Sequence, residues 1–316
     1  MDLKQLDYFV HVAELGSFTK AASLLSVAQS ALSHQVRQLE VELKQVLLYR
    51  NGRGVTPTDA GNRLLAHARG ILMQVSRARD ELGEARGTPV GHVVLGLPAT
   101  LARFLTVPLV KAFRASFPSA SCGIIEALSV PIIDALSAGR VDIGLVYNPM
   151  PSPNMEIIPI HEHTMFLISS KASRLSPRIK RIPMKDLPRY PLILPSRPNA
   201  NRMRIESQLA YRGLKPTIAF EVDGIASLLD LVHEAYGHTV LPLMSLRGHR
   251  FASTFLARPI VAPKFTIQLS LVVSGTRPMT PLTRGFLGLV RETVDKILFL
   301  DEHPATERRG RIASGS

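Results

Sequence analysis

The spacing of apolar residues over the first forty-odd positions predicts three short helices. In the first, apolar side chains recur three or four positions apart until Gly16, which favours a helix end. Ser17 can cap a second helix over 18–25, and a third follows over 28–43 after a short turn. The third helix places four apolar residues on one face: Leu32, Val36, Leu39 and Leu43. That face is expected to enter a core, and the opposite face to remain in solvent.

Two short extended segments and a long helix follow. Residues 47–50 and 55–57 flank Asn51-Gly52, a dipeptide typical of hairpin turns, so a β-hairpin is expected there. A helix then begins at Thr58 and carries its apolar stripe to about Arg86. A helix of this length is unusual inside a globular domain and favours pairing with a second helix in a dimer.

Beyond this helix the pattern changes. Residues 87–91, Gly-Thr-Pro-Val-Gly, predict a hinge. Short apolar runs then alternate with helical segments, which predicts an α/β fold with a mostly parallel sheet. The predicted strands are 93–97, 121–126, 141–146, 165–169, 192–194, 217–222, 239–241 and 266–273; the predicted helices are 101–117, 131–138 and 281–298. The polar segment 301–316 is predicted to be disordered.

Composition narrows the class of protein. With 46% hydrophobic and 20% charged residues, the chain is expected to form packed cores. Its single cysteine excludes an internal disulfide or a cysteine-based metal cluster within one chain. No apolar run reaches the roughly 18–20 residues that span a bilayer. The first residues lack the apolar segment of a secretion signal, so we expect a cytoplasmic protein without membrane contact.

The charge is unevenly distributed. The chain carries a formal net charge of +13. Residues 1–90 contain 11 basic and 9 acidic residues, a net of +2, so the remaining +11 lies in residues 91–316. Residues 171–215 contain 12 lysines and arginines against Asp186 and Glu206. This segment forms either a solvated surface, as runs of charged residues usually do, or a positively charged surface whose electrostatic field attracts an anionic ligand.

The polar face of the third helix has the character of a DNA-reading surface. A recognition helix needs an apolar face that seats it and a short polar face that reaches base edges. Gln29 can pair with adenine, and Arg37 can reach guanine or phosphate. Basic residues of the hairpin can contact phosphates or the minor groove. The predicted DNA-contacting residues are Gln29, Ser30, Ser33, His34, Arg37, Arg50 and Arg53. The alternative is that these are ordinary solvated residues of a small helical domain.

Residues 21–40 resemble the helix-turn-helix of LysR-type regulators. Their sequence, AASLLSVAQSALSHQVRQLE, is similar to the family pattern A-A-x-x-L-x-x-S-Q-P-A-L-S-x-x-I-x-x-L-E. Ala28 replaces the usual serine and Ser30 the usual proline, and both are small. Residues 56–61 resemble the T-x-x-G that opens the family's linker helix, and 139–144 and 237–242 match more loosely. Residues 140–149 and 51–61 are similar to the nitrogen-assimilation branch.

The resemblance implies a domain plan. It comprises a winged helix-turn-helix over 1–58, a linker and dimerisation helix over 59–86, the hinge over 87–91 and an effector-binding domain over 92–300. That domain would resemble periplasmic solute-binding proteins, with lobe I over 92–162 and 267–300 and lobe II over 163–266. The chain would be a sequence-specific transcription regulator without a cofactor. Its partners would be promoter DNA with interrupted inverted repeats, a second copy in a dimer or tetramer, RNA polymerase and a small-molecule effector.

The effector is expected between the lobes. Residues just after strands, at helix starts, are candidates because free N–H groups there attract anions. The resemblance implies polar effector ligands at such positions. The candidates are Thr100, Ser129, Ser196, Arg197 and Asn148. Each hydroxyl could instead serve only as a helix cap, as Thr100 could for the helix that follows it.

Enzymatic chemistry is not predicted. The sequence has no G-x-S-x-G, Walker A or G-x-G-x-x-G motif, and no catalytic residue is assigned. The tight cluster His161-Glu162-His163 lies on an extended segment, where successive side chains point to opposite faces, so a metal site is not expected. Two other classes compete with the regulator. A transport solute-binding protein would not need residues 1–86. An architectural DNA binder without a ligand would not need the effector-binding domain.

Overall fold

Three helices form the N-terminal head. The computed structural model describes residues 1–51, 54–83, 89–173, 175 and 178–302. The helices are α1 (Leu3–Leu15), α2 (Phe18–Leu24) and α3 (Gln29–Leu43). Asp2 caps α1 by accepting from the Gln5 amide at 2.8 Å, and Ser17 caps α2. The three predicted helices are thus confirmed. Their apolar faces meet in one core around Phe9, whose side chain is fully buried.

The expected hairpin is present as a wing. Strand β1 (Leu48–Asn51) pairs antiparallel with β2 (Gly54–Pro57). The Val55 amide donates to the Gly16 carbonyl at 2.9 Å, and a Cβ on Gly54 would lie 2.9 Å from the same oxygen. The wing therefore packs directly on the turn between α1 and α2. Residues 52 and 53 of the hairpin turn lie outside the described residues.

Helix α4 (Asp59–Gly83) is joined tightly to the head. The Thr58 hydroxyl donates to the Val46 carbonyl at 2.7 Å and accepts from the Gly61 amide at 2.9 Å. A Cβ on Gly61 would lie 2.0 Å from the Leu47 carbonyl oxygen. Only glycine fits this contact, so Thr58 and Gly61 together fix where α4 begins and how it leaves the head. Residues 84–88, which include the predicted end of the linker and part of the hinge, lie outside the described residues.

In the described residues, the C-terminal part is built from ten strands, five α-helices and the short 3-10 helices Met184–Arg189, Leu243–Leu246 and Ala252–Thr254. The strands are β3 (Gly91–Leu97), β4 (Ala120–Glu126), β5 (Ile143–Tyr147), β6 (Met155–Ser170), β7 (Ile182–Pro183), β8 (Leu192–Leu194), β9 (Ile218–Glu221), β10 (Thr239–Pro242), β11 (Phe255–Val261) and β12 (Thr266–Ser274). The helices are α5 (Ala99–Ser116), α6 (Ser129–Ser137), α7 (Ala200–Ala210), α8 (Ile225–His233) and α9 (Pro281–Glu302). Helix α9 includes two residues of the predicted disordered tail, and residues 303–316 lie outside the described part of the chain.

Two strands cross between two lobes. The main sheet has the order β4-β3-β5-β12-β6-β11-β7, and β10 also pairs with β6. Strand β6 pairs with β12 over 155–164 and then with β10 and β11 over 165–170. Lobe I therefore holds β3, β4 and β5, and lobe II holds β7 to β11. The two-lobed α/β fold is confirmed.

The expectation of a mostly parallel sheet is wrong. Strand β3 is parallel to β4 and β5, but β12 is antiparallel to both β5 and β6. The two crossing strands run against their neighbours, which makes the sheet mixed. Sequence patterning missed β11 and the first half of β6, where Pro259 and Pro159 interrupt the apolar pattern.

We predict that Gly61→Ala destabilises the head, because its methyl group would overlap the Leu47 carbonyl oxygen at 2.0 Å. Overpacking of this kind costs about 2 kcal/mol or more, and α4 should shift relative to the head. Thermal unfolding followed by circular dichroism measures the effect. Gly288→Ala is the matched control, since a Cβ at this position in α9 meets nothing within 4 Å and alanine favours a helix. Equal unfolding temperatures for the two variants would contradict the prediction.

Candidate nucleic-acid interface and ligand cleft

Helix α3 presents most of the predicted DNA-contacting residues on one exposed face. Its core face, with Leu32, Val36 and Leu39, is fully buried. The opposite side bears the exposed residues Gln29, Ser30, His34 and Arg37 and the half-buried Ser33. The structure therefore brings these five side chains together along about two turns of one helix. Such a row has the length and polarity that a major groove accepts.

The wing contributes Arg50 to the same surface. Its guanidinium Nη1 lies 3.3 Å from the Ser33 hydroxyl and 4.5 Å above the Phe18 ring, measured from Cζ to the ring centroid. Because the guanidinium stacks on an aromatic ring, its other N–H donors remain free to point toward solvent or DNA. Arg53, the second predicted wing residue, lies outside the described residues.

The start of α3 is also suited to an anion. Its N-cap residue is Ala28, which has no side-chain hydrogen bond to the first turn. The first N–H groups of a helix have no partners within it, and a phosphate can accept from them. Ala28, which stands where the family pattern has serine, therefore leaves these N–H groups without a side-chain cap.

A second site lies between the two lobes of the C-terminal part. It is a cleft of about 370 Å³. Its lining residues, from both lobes, are Pro98, Ala99, Thr100, Arg103, Phe104, Leu128, Ser129, Tyr147, Pro195, Asn199, Ala200, Asn201, Asp223, Gly224, Ile225, Ala226, Leu229, Ser245 and His249. The volume suits a small metabolite at the lower end of the range typical of ligand sites.

Four helices begin at the wall of this cleft. The first residues of α5 and α6 line it from lobe I, and those of α7 and α8 line it from lobe II. Each helix start carries a partial positive charge from aligned peptide dipoles, about half an elementary charge. None of α5, α6 and α8 has a side-chain cap, whereas Asn199 caps α7. The cleft is therefore electrostatically suited to a negative group.

Thr100 and Ser129 lie in the cleft beside Tyr147. The Ser129 hydroxyl accepts from the Tyr147 amide at 3.0 Å, which ties the start of α6 to the end of β5. Thr100 lies in the first turn of α5, after the N-cap Pro98, so the capping role considered for Thr100 is wrong. Burial raises the pKa of the Tyr147 phenol, and the neighbouring Thr100 hydroxyl opposes the shift. Tyr147 therefore lines the cleft as a neutral phenol.

Charged groups of the cleft come from both lobes. Arg103 on α5 is exposed, and its guanidinium donates across the cleft to the Gly248 carbonyl. Burial lowers the pKa of His249, an effect that the nearby Asp230 opposes, so its imidazole is neutral at pH 7. Asp223 is occupied as an acceptor for the Ser196 amide at 2.7 Å. Arg103 is thus the full positive charge among the lining residues.

Three predicted effector residues lie outside this cleft lining. Ser196 uses its amide to hold Asp223, and Arg197 is exposed and paired with Glu206 at 2.7 Å. Asn148 adopts a left-handed backbone, and its side-chain oxygen accepts from the Gln268 amide at 2.9 Å. That bond joins the end of β5 to the crossing strand β12. In this arrangement the three residues support the walls rather than line the cavity.

Sequence reasoning missed several lining residues. Arg103 lies one helical turn after Thr100, and this spacing could have identified it. Asn199 follows β8 at the start of α7, and a capping asparagine marks a helix start, so the sequence did carry a signal for it. Asp223, Ser245 and His249 come from distant parts of lobe II, so no local pattern reveals them.

The His161-Glu162-His163 cluster is a feature of the crossing strand. The rings of His161 and His163 lie on the same face of β6, with centroids 4.5 Å apart. Burial, with a contribution from His161, lowers the pKa of His163 to about 3. Within the described residues, no group of three or more His, Cys, Asp or Glu side chains is arranged to hold a metal ion.

Among the helices that the structure describes, none combines the length and the hydropathy of a membrane span.

Comparison with known proteins assigns both halves of the chain. The model described as "Bacterial regulatory helix-turn-helix protein, lysR family" matches residues 3–62, and "LysR substrate binding domain" matches residues 86–295. The chain is 33% identical over 311 residues to the "Nitrogen assimilation regulatory protein nac" of Klebsiella aerogenes, with 98% of each chain covered. It is 31% identical to the protein of the same name from Escherichia coli K12, covering 93% of this chain and 95% of that protein.

Solved structures agree in fold. The LysR family regulator CbnR superposes with a TM-score of 0.67 at 26% identity, covering 93% of this chain and 99% of CbnR. A structure of full-length CbnR with its target DNA gives the same TM-score and identity. Full-length OxyR from Pseudomonas aeruginosa superposes with a TM-score of 0.70 at 20% identity, covering 93% of this chain and 95% of OxyR. The chain therefore belongs to the LysR family of bacterial transcription regulators, which combine a helix-turn-helix with a substrate-binding domain and are not enzymes.

Proposed function

We propose that this regulator reads promoter DNA with the exposed face of α3 and the wing, and responds to a small anionic effector bound in the interlobe cleft. The observation that carries the proposal is the convergence of four helix starts and Arg103 on one cavity. In a regulator whose family has a substrate-binding domain, this is the electrostatic setting for a carboxylate or a comparable anion.

The DNA-reading roles follow from reach and chemistry. Gln29 pairs with adenine, Arg37 with guanine or phosphate, and His34 with phosphate or a base. Ser30 and Ser33 make short contacts, while Arg50 binds flanking phosphate. We keep Arg53 as a proposed phosphate or minor-groove contact on sequence grounds. The uncapped start of α3 supplies N–H donors to a further phosphate.

The cleft also constrains the body of the effector. Apolar side chains line it from both lobes, including Phe104 and Leu128 from lobe I and Ile225 and Leu229 from lobe II. We assign the negative end to Thr100, Ser129 and the helix starts, and the apolar end to this group. An amphipathic carboxylate of metabolite size satisfies both ends. We retain Ser196, Arg197 and Asn148 as proposed effector residues that act through the cleft walls.

The proposed assembly uses α4. A helix of 25 residues is long enough to pair with the same helix of a second copy, giving a dimer, and two dimers form a tetramer. A dimer places two α3 helices on the two halves of an inverted repeat. The effector changes the DNA bend, and RNA polymerase is the proposed downstream partner. We propose that the protein carries out these activities in the bacterial cytoplasm. Because relatives are nitrogen assimilation regulators, promoters of nitrogen metabolism are the first candidates for its DNA targets.

We predict that Arg37→Ala weakens binding to a selected operator by about 5- to 150-fold, because a base or phosphate contact of this type contributes about 1–3 kcal/mol. The operator is first selected from random duplexes, and affinity is then measured by fluorescence anisotropy at fixed salt. Arg79→Ala is the charge-matched control, since Arg79 is exposed near the far end of α4. If both variants bound as tightly as the unmodified protein, α3 would not be the reading helix.

We predict that a panel of small carboxylates, amino acids and aromatic acids contains a compound that raises the unfolding temperature of the full chain. A ligand at 100 times its dissociation constant adds about 2.7 kcal/mol, a shift of a few degrees. Thr100→Val should remove the shift, and the uncharged amide of the same compound should fail. Thr217→Val, an exposed hydroxyl of lobe II outside the cleft, is the control. A hit that survived Thr100→Val or bound equally as its amide would overturn the anionic assignment.

A further inference from the structure

A second cavity lies where α4 meets lobe I, and it shares no lining residue with the interlobe cleft. Helix α4 approaches this lobe so closely that a Cβ on Gly70 would lie 2.2 Å from the Ala138 carbonyl oxygen. Next to this contact is a cavity of about 140 Å³. Its polar lining comes from α4 (Gln74 and Arg77), the residue before β5 (Asp142), the end of β12 and the segment after it (Ser274, Arg277 and Thr280) and the start of α9 (Thr283).

The cavity wall contains more positive than negative charge. Arg77 is 9% exposed, and one Nη lies 2.5 Å from the Asp142 carboxylate, which also accepts from the Val94 amide at 2.7 Å. Arg277 donates to the Leu136 carbonyl at 2.5 Å. Two guanidinium groups therefore face one buried carboxylate. A guanidinium charge is costly to bury unless an anion pairs with it.

The protein's own acceptors only partly satisfy the two arginines. With its amide oxygen turned toward them, Gln74 accepts from Arg77 at 3.0 Å and from Arg277 at 2.8 Å. Arg77 also donates from Nη2 to the Gly139 carbonyl at 3.1 Å, whereas its buried Nε has no hydrogen-bond partner among the described residues. Burial and the proximity of Arg77 lower the pKa of Arg277, and burial raises the pKa of Asp142 against the opposing effect of Arg77. Burial is the main cause of both shifts, and the like charge of Arg77 adds to the shift of Arg277.

Further donors face the cavity from lobe I. Helix α9 begins at Pro281, and its 22 residues direct the positive end of their dipole toward this cavity. The Thr280 hydroxyl caps that helix by accepting from the Thr283 amide at 3.0 Å, and the two hydroxyls lie 3.0 Å apart. Cationic, hydroxyl and helix-start groups thus surround one small space from different directions. A tetrahedral oxyanion presents acceptors in all of these directions.

We infer that this cavity is a second ligand site, separate from the interlobe cleft, and that it binds a tetrahedral oxyanion of the phosphate or sulfate class. The space is well above the roughly 10–15 Å³ that one water requires. Gln74 and Arg77 belong to α4, whereas Arg277 and Thr283 belong to lobe I. The bound ion therefore joins the linker helix to the sensor, and its concentration biases how firmly the two are held together.

Equilibrium dialysis of the full chain with radiolabelled sulfate tests this directly, with chloride used to keep the ionic strength constant. We expect one saturable site per chain, for which inorganic phosphate competes. Arg277→Gln should lower the affinity by about tenfold or more, because a charge-assisted bond is lost. Arg284→Gln is the control. It removes the same charge from the first turn of α9, but Arg284 is exposed and does not line the cavity.

Two more variants separate the possible outcomes. Gly70→Ala displaces α4 from lobe I without changing a charge, and it should also weaken sulfate binding. Thr100→Val alters the cleft and should leave sulfate binding unchanged. The inference is overturned if sulfate and phosphate show no saturable binding, or if Arg277→Gln and Gly70→Ala both bind with unmodified affinity. Loss of sulfate binding in Thr100→Val alone would place the ion in the cleft and equally overturn it.

Discussion

The arrangement of this regulator depends on how tightly α4 is packed at two points. At Gly61 the helix touches the Leu47 carbonyl of the head, and at Gly70 it touches the Ala138 carbonyl of lobe I. Neither contact leaves room for a Cβ, so both are close backbone approaches that resist sliding. Because the two glycines are nine residues apart on one helix, the head and lobe I are held to the same short rigid segment. The buried pair of Arg77 and Asp142 reinforces the second contact.

Unlike this rigid segment, the two lobes that flank the cleft can move relative to each other. Two of the four helix starts belong to lobe I and two to lobe II, so an anion between them attracts both lobes at once. Arg103 already reaches across to the Gly248 carbonyl, and the two crossing strands provide the connection about which the lobes can move. An effector shifts such an equilibrium only by its difference in affinity for the open and closed forms. We propose that the charge of the ligand creates that difference.

The sequence predicted the head better than the sensor, for physical reasons. Leu32, Val36 and Leu39 repeat at helical spacing, and Thr58 and Gly61 lie within a short motif, so local patterning was sufficient. In the C-terminal part, Pro159 and Pro259 interrupt the apolar pattern of β6 and β11. The sequence therefore did not predict these antiparallel segments, which become evident only from their pairing with neighbouring strands. Thr100 and Ser129 were found because they follow strands directly. His249 and Asp223 reach the cleft through the folding of lobe II, and the pairing of Arg77 with Asp142 joins residues 65 positions apart, beyond any local signal.

Quantitative footprinting of the selected operator, with and without the anion proposed to bind the cleft, measures the link between the cleft and the DNA directly. We propose that this ligand changes the relative placement of the two DNA-reading heads of a dimer and hence the DNA bend. The predicted result is a change in footprint length and in the hypersensitive positions that mark bending, at unchanged protein occupancy. Footprints of equal extent with identical hypersensitivity, under conditions where the ligand saturates the cleft, would contradict it.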